Sequence, residues 1–276
     1  AGGISPGDAW TLISDGRAVL VDVRTAEERK FVGQVPETLW QLSDALKAGT
    51  YRPQAIRRVH IPKPGTKETR PLGIPTVRDR VVQAAVVNVI EPIFERDFAE
   101  QSYGFRPGRG CKDALRRVDE LLKAGYVHVV DADLKGYFDS IPHAGLLDRL
   151  KTKIADGRVL SLIESFLTAG IMEGVDDWTP GSGAPQGAVL SPLLSNVYLD
   201  PLDHLVAASG FEMVRYADDF VITGASTEIL ENNIKPLVIE FLKERGLNLS
   251  LEKTRITNVN KGFDFLGFNI RKFKEK

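Results

Sequence analysis

The stretch FEMVRYADDFVITG, residues 211–224, contains two apolar runs on either side of the acidic segment Ala217-Asp218-Asp219. Runs rich in Val, Ile, Phe and Tyr on both sides of a short break predict a β-hairpin. The two aspartates would then lie at the tip of the hairpin. Taken alone, the same pattern also fits acidic residues in an ordinary turn.

A second stretch, VVDADL at residues 129–134, also ends an apolar strand with carboxylates. A carboxylate among apolar side chains costs free energy unless it has a cationic partner or a metal ion. If Asp133 meets Asp218 and Asp219, the three like charges need cations between them. Mg²⁺ prefers carboxylate and phosphate oxygens, and two ions about 4 Å apart can hold the attacking and leaving oxygens of a phosphoryl transfer.

Positive charge is concentrated in one segment of an almost neutral chain. The net charge is −1, yet residues 47–80 hold nine Lys or Arg side chains against Glu68 and Asp79. Such asymmetry is typical of a local anion-binding surface, or of a solvated arginine-rich loop. Residues 55–75 predict two strands joined by a basic tip, so Lys63 and Arg70 can reach the same side of a hairpin.

The segment GAPQGAVLSP, residues 183–192, lies between the two acidic stretches in the sequence. Gly187 permits a close backbone approach, and the side chain of Gln186 can both donate and accept hydrogen bonds without carrying charge. The alternative is a loop that enters a helix, with Pro192 in the first turn.

Composition excludes several protein classes. The 276 residues contain one cysteine, Cys111, and four histidines, which excludes a disulfide framework and argues against a zinc site. A single cysteine fits a reducing compartment, so we expect a cytoplasmic protein. We also expect no membrane partner, because no apolar run approaches about 18 residues and the start of the chain lacks a signal-peptide pattern.

The predicted elements indicate an α+β fold in which helices cover a sheet on one side. A helix is expected over residues 81–98 with an interruption at Pro92, and another over residues 229–246, which Gly246 closes. Residues 262–273 predict a last pair of strands.

Six motifs occur in an order that resembles the group II intron-encoded reverse transcriptases, also called maturases. They lie between about Leu39 and Phe273, and they are IPKPGTKETRPLGIP (61–75), QSYGFRPGR (101–109), DADLKGYFDSI (131–141), APQGAVLSPLLSN (184–196), YADD (216–219) and GFDFLGF (262–268). The resemblance implies a right-hand fingers and palm architecture with an antiparallel palm sheet backed by helices. It divides the chain into fingers at 39–130 and palm at 131–276, interleaved in space. The family continues with a basic helical thumb, which is expected to be absent here.

The same resemblance assigns roles to individual residues. It implies that Asp133, Asp218 and Asp219 bind two Mg²⁺ ions, with Mn²⁺ as a possible substitute. Around the incoming nucleotide it places Lys63 and Arg70 on the triphosphate, Phe138 against the ribose 2′ position and Gln186 along the nucleotide. Lys253 is the candidate general acid for the leaving diphosphate. Arg106 and Arg109 are assigned to the template path; capping a helix or binding a carboxylate is the alternative for both.

The function implied is RNA-directed DNA polymerisation, in which a DNA primer 3′-hydroxyl is extended with dNTP on an RNA template such as a group II intron. One alternative is a non-catalytic, RNA-binding maturase fragment that assists splicing. Another is a reverse transcriptase of the retron or diversity-generating type. The sequence assigns no oligomeric state.

Residues 1–38 depart from that family. The stretch AVLVDVRTAEERKFVGQVP, residues 18–36, resembles part of a rhodanese-like domain. Sulfur transfer is not expected, because that family's cysteine loop is missing and Cys111 lies in the polymerase-like part. A sulfur-carrier or interaction module built on residues 1–37 is the third function class.

Overall fold

A computed structural model describes residues 35–62, 68–250 and 252–272 of the chain. Residues 18–34 of the rhodanese-like stretch, and Lys63, therefore lie outside the described residues. The chain forms two compact units, Ala1–Thr50 and Tyr51–Lys276. The described part of the first unit is an amphipathic helix, α1 (Val35–Lys47), whose Leu42 is buried.

The second unit alternates short strands and helices. In chain order they are β1 (Ile56–Pro62), β2 (Thr69–Ile74), α2 (Val77–Glu95), α3 (Cys111–Lys123), β3 (His128–Asp133), α4 (Tyr137–Ser140), α5 (His143–Lys151), α6 (Gly157–Leu167), β4 (Ile171–Glu173), β5 (Asp176–Trp178), α7 (Ser191–Ala208), β6 (Glu212–Tyr216), β7 (Asp219–Gly224), α8 (Thr227–Ile229), a π-helical turn (Leu230–Ile234), α9 (Lys235–Glu244), β8 (Arg255–Asn258), β9 (Phe263–Phe265) and β10 (Phe268–Ile270).

These strands form two four-stranded sheets and a separate hairpin. The first sheet has the order β2-β1-β4-β5, and the second, fully antiparallel, has the order β6-β7-β3-β8. Strands β9 and β10 form the hairpin expected over residues 262–273. The α+β class, the basic β1–β2 hairpin and the acidic β6–β7 hairpin are confirmed, and they correspond to the fingers and palm of the expected architecture.

Both faces of the second sheet are buried, so the expectation that helices cover it on one side is wrong. One face packs against α3 and the β9–β10 hairpin through residues such as Val118, Val129 and Phe263. The opposite face includes Phe220 and Ile222, which are also buried. Arg215, on that same face by strand alternation, bonds to residues of α7. The sheet is therefore sandwiched, and its strand ends are held from two sides.

Two predicted helices differ from expectation at prolines. Helix α2 runs through Pro92, because the missing backbone N–H removes one hydrogen bond near the helix end while Ile90 and Phe94 on either side are buried. The helix expected over residues 229–246 is instead α8, the π-helical turn and α9. Pro236 opens α9, and the wider π turn before it accommodates the carbonyl that a proline ring would otherwise meet.

Candidate active site

The tip of the β6–β7 hairpin holds two carboxylates in a tight turn. Ala217 is buried and has a backbone φ of +58°, in the left-handed region that residues other than glycine rarely adopt. Ala217 and Asp218 form the two-residue turn between Tyr216 at the end of β6 and Asp219 at the start of β7, which are directly paired. Asp218 is thereby placed at the outermost point of the hairpin.

The ladder between β3 and β7 brings the third carboxylate to the same place. Asp133 is the direct partner of Asp219 in this antiparallel pair. Opposed residues have α-carbons about 4.5–5.5 Å apart and one further residue adds about 3.8 Å, so the α-carbon of Asp218 lies within about 9–10 Å of that of Asp133. Strand alternation also puts Asp131 on the same sheet face as Asp133.

A fully buried ion pair holds the hairpin tip from below. The guanidinium of Arg215 donates to both carboxylate oxygens of Asp203 at 2.7 and 2.6 Å, and to Oδ1 of Asn196 at 2.9 Å. It also donates to the carbonyl oxygen of Ala217 at 2.8 Å. Helix α7 thus fixes the strained residue that aims Asp218.

Electrostatics in this cluster favour bound cations. Loss of solvent is the largest cause of the raised pKa of Asp219, and repulsion from Asp218 and then Asp133 adds to it, giving a pKa of about 6. The pKa of Asp218 is also raised, mainly by desolvation, with Asp133 adding to it. Desolvation, followed by the charges of Asp264 and Asp133, raises the pKa of Asp131 to about 6.

One cation of the protein already touches this cluster. Nζ of Lys253 donates to Oδ2 of Asp133 at 2.6 Å, although the Lys253 side chain is 67 % exposed. The hydrogen bond to Asp133 is the first cause of the raised pKa of Lys253. The backbone N–H of Ser250 donates to the carbonyl oxygen of Asp133 at 2.8 Å, which fixes the loop that carries Lys253 beside the end of β3.

The described residues contain no group of three His, Cys, Asp or Glu side chains already arranged to enclose a metal ion. The donor set nevertheless fits magnesium, because the oxygens are hard carboxylate ligands and their mutual repulsion is what a divalent ion would relieve.

A cleft of about 710 Å³ opens beside the carboxylates. It joins six of the ten residues that the sequence assigns to the site, namely Asp133, Asp218, Lys253, Arg70, Phe138 and Gln186. Asp219 adjoins them through the β3–β7 ladder. The volume is within the range of about 300–1,000 Å³ that is usual for small-molecule sites.

Glycine at position 187 lets the far wall of the cleft approach the first sheet. The carbonyl oxygen of Gln186 accepts the N–H of Gly73 at 2.7 Å, which ties this loop to β2. Gly187 has φ of +107°, and a Cβ there would lie 2.6 Å from the carbonyl oxygen of Gly73. Gln186 is thus placed opposite the carboxylates. The helix-entry alternative is also met, because α7 begins at Ser191 with Pro192 in its first turn.

The two arginines assigned to the template path are both engaged by other residues of the protein. Arg106 is 7 % exposed and forms an ion pair with Glu95, while its Nη1 donates to the carbonyl oxygens of Ala99 and Ser102 at 2.7 and 2.8 Å. Arg109 donates to the carbonyl oxygen and the carboxylate of Glu100. These contacts favour the carboxylate-binding alternative over the template path for both residues.

Sequence reasoning missed the support under the turn. Neither Arg215 nor its partners Asp203 and Asn196 were singled out, although an arginine inside the apolar run MVRY was a visible signal. A buried arginine requires a buried acid, and only the structure supplies that acid from α7.

None of the helices in the described ranges has both the length and the apolar character needed to cross a membrane.

Comparisons with known proteins agree with this geometry. The family model described as "Reverse transcriptase (RNA-dependent DNA polymerase)" matches residues 61–270. Protein YkfC of Escherichia coli (strain K12) is 36 % identical over 270 residues, covering 83 % of this chain and 70 % of YkfC. Group II intron-encoded protein LtrA of Lactococcus lactis subsp. cremoris is 43 % identical over 170 residues, covering 62 % of this chain but 28 % of LtrA.

A solved structure shares the fold. Telomerase from Candida albicans, determined with a fragment of telomeric RNA, superposes with a TM-score of 0.65 at 14 % identity. The match covers 86 % of this chain and 47 % of the telomerase chain. At this identity the likeness concerns the fold alone.

Proposed function

This chain belongs to the reverse transcriptase family, and from that premise we propose that it is the catalytic core of a group II intron-type RNA-directed DNA polymerase. It extends a DNA primer 3′-hydroxyl with dNTP on an RNA template. The observation that carries the proposal is the β3–β7 register, which pairs Asp133 with Asp219 beside the Asp218 turn. A protein that only held RNA would gain nothing from three carboxylates facing a polyanion.

The carboxylates of Asp133, Asp218 and Asp219 would hold two Mg²⁺ ions, with Mn²⁺ as a substitute. When bound, such ions lower the pKa of an attacking hydroxyl and stabilise the charge on a leaving diphosphate. The protein's part is to hold the three carboxylates beside one another. Arg215 serves this by fixing the carbonyl of Ala217.

The cleft walls would position the nucleotide. Arg70, exposed on β2, can bind the triphosphate through paired N–H donors. Lys63 is proposed to bind the same group. Gln186 would lie along the nucleotide. The aromatic ring of Phe138 would lie against the ribose 2′ position and exclude a 2′-hydroxyl there. Lys253 is proposed as the proton donor to the leaving diphosphate, because its ammonium group lies at the site and contacts Asp133.

The template is proposed to be RNA, held through its backbone and 2′-hydroxyls, with a group II intron as its natural source. The division into fingers (39–130) and palm (131–276) belongs to the same proposal. A chain with one cysteine would carry out this activity in the reducing cytoplasm.

Primer extension tests the proposal. An oligo(dT) primer on poly(rA) is incubated with dTTP and Mg²⁺, comparing the natural chain with Asp218→Asn. The matched control is Asp148→Asn, an exposed aspartate on helix α5. We expect extension by the natural chain and the control, and a loss of at least about 10³-fold in Asp218→Asn, because a neutral amide removes a metal ligand. Extension that survives Asp218→Asn would count against the assigned site.

The maturase alternative gives a different outcome. A non-catalytic RNA-binding protein would bind the RNA with the same affinity as the natural chain and as both variants, and none of the three would extend the primer. That result would replace polymerisation with RNA binding as the function.

A further inference from the structure

The loop Tyr103-Gly104-Phe105 lies directly against the catalytic hairpin. The N–H of Tyr103 donates to the carbonyl oxygen of Arg215 at 2.8 Å. A Cβ on Gly104 would overlap the backbone nitrogen of Ala217, so only glycine fits between the two chains. Nδ2 of Asn196 donates to the carbonyl oxygen of Gly104 at 2.8 Å, so the same asparagine bonds both this loop and Arg215.

Phe105 is the next residue, and it combines a strained backbone with an exposed side chain. Its φ is +58°, a conformation that is a clear outlier for a bulky side chain. Its side chain is also 48 % exposed, so packing against the protein does not fully account for the strained backbone. Residues held in strained conformations cluster where the position of a side chain matters for function.

The arginines on the C-terminal side of Phe105 fasten the loop. Arg106 stacks on the ring of Phe98 at 5.4 Å and is bound to Glu95, and Arg109 stacks on the ring of Tyr103 at 5.6 Å. Arg106 is therefore engaged in the interior, whereas Arg109 pairs with the exposed Glu100 at the surface. Within the segment GFRPGR, the aromatic side chain that remains available to a ligand is that of Phe105.

We propose that the ring of Phe105 binds the primer–template duplex, packing on a ribose or base edge in its minor groove next to the primer 3′ end. The inference rests on the proposed function, since it needs a duplex whose primer end lies at Asp218. Gly104, the residue before Phe105, lies against the turn that carries Asp218, and Phe105 is not among the residues lining the nucleotide cleft. The surface beside the turn is where the duplex must pass.

The chemistry fits an RNA-containing duplex. Its minor groove is wide and shallow and presents ribose faces, which an apolar ring can contact without reading the base sequence. A contact with ribose does not depend on the base sequence, as a polymerase requires. The contact would add affinity for the duplex while leaving the nucleotide site unchanged.

Replacing Phe105 by glycine tests the loss of the ring without adding backbone strain. Phe105→Gly removes the side chain and also makes the positive φ favourable. Phe105→Tyr keeps the ring. The control is Tyr126→Gly, which removes a 38 % exposed aromatic side chain just before the start of β3, at the opposite end of the strand from Asp133.

The readouts are the Kd for a labelled RNA–DNA duplex, measured by fluorescence anisotropy without dNTP, together with the Tm and the KM for dNTP. We expect Phe105→Gly to raise Kd about tenfold with no fall in Tm and no change in KM. Phe105→Tyr should bind as the natural chain does, and so should Tyr126→Gly.

Two results would overturn the inference. One is an unchanged Kd in Phe105→Gly. The other is a Tm lowered by several degrees, which would mean that the ring packs against the protein itself. Binding is measured without catalysis, so the two proposals are tested separately. If Phe105→Gly raises Kd tenfold but the natural chain never extends a primer, only the polymerase proposal is contradicted.

Discussion

The negative charge of Asp219 is unfavourable in the folded, metal-free protein. Its carboxylate has lost solvent and faces Asp218 and Asp133, and these causes raise its pKa to about 6. A carboxyl whose pKa is higher in the folded than in the unfolded protein weakens folding once it ionises. The destabilisation is absent below the unfolded value near 4 and complete above about 6.

Neutralising Asp219 should therefore stabilise the metal-free protein. We expect Asp219→Asn, in EDTA at pH 8, to raise Tm by roughly 2–4 °C, which corresponds to about 1 kcal/mol after allowance for solvent screening. The gain should shrink below pH 6 and vanish near pH 4. Thermal melts across this range measure it.

Added Mg²⁺ provides the internal control for this prediction. A bound ion stabilises only the form that binds it, so the Tm of the natural chain should rise with Mg²⁺ more than that of Asp219→Asn. Equal Mg²⁺ responses, or a lower Tm for the variant at pH 8, would contradict the charge account.

The role of a residue could be predicted where its side-chain chemistry indicated that role. It could not be predicted where the role depends on which partner the fold brings next to it. The carboxylates at the ends of two apolar strands were visible as Asp133, Asp218 and Asp219. For Arg106 the sequence left open a template contact or a carboxylate partner, and Glu95, eleven residues away, was not identifiable as that partner. A charged side chain reveals its partner only after folding.

At the scale of elements, helix α7 and the β6–β7 hairpin depend on one ion pair. Arg215 and Asp203 are both fully buried, and the arginine also bonds to the carbonyl of Ala217. Removing one charge leaves the other uncompensated in the interior, whereas removing both leaves an apolar contact. Stability and positioning can therefore be separated.

We expect Arg215→Met to lower the free energy of unfolding by about 3–5 kcal/mol, and Asp203→Leu added to it to restore most of that loss. Extension activity should stay low in the double variant, because nothing then holds Ala217. Urea unfolding and primer extension give the two values. Recovery of activity together with stability would remove Arg215 from its positioning role.

The turn at Gly187 also positions one element against another, because it lets the cleft wall approach β2. Gly187 and Gly210 both have positive φ, +107° and +78°, but only at Gly187 would a Cβ meet other atoms within 4 Å. Alanine at either position incurs the left-handed backbone cost of about 1–2 kcal/mol. Only alanine at 187 must also push the Gln186 loop away from Gly73.

We expect both Gly187→Ala and Gly210→Ala to lose stability, Gly187→Ala the more, and only Gly187→Ala to raise the KM for dNTP, by about tenfold. Steady-state kinetics with a saturating primer–template measure the difference. A KM raised equally in both variants would trace the effect to general destabilisation rather than to the cleft wall.

Elements that follow periodicity were foreseen, and those that depend on partners were not. The β1–β2 and β6–β7 hairpins follow from apolar, β-prone runs on either side of turn residues. The continuity of α2 through Pro92 depends on buried neighbours, and the π-helical turn before Pro236 depends on relief of a local clash. Neither can be read from local sequence patterns.

At the scale of the whole molecule, the second unit brings together residues that are far apart in sequence. Asp133 and Lys253 are 120 positions apart, and their side chains are in contact. Arg70 and Gln186 come from other elements and line the same cleft. The motif order predicted this convergence through its resemblance to a family, whereas spacing alone did not.

The central claim is that Asp133 and Asp218, from separate strands, act as one unit in nucleotidyl transfer. The most direct measurement is the single-turnover rate of one dNTP addition to a primer on RNA, with saturating Mg²⁺, for Asp133→Asn, Asp218→Asn and the double variant. The account predicts a fall of about 10³-fold or more in each single variant and no further fall in the double, as for groups that work together. A near-normal rate in either single variant, or losses that multiply in the double, would contradict it.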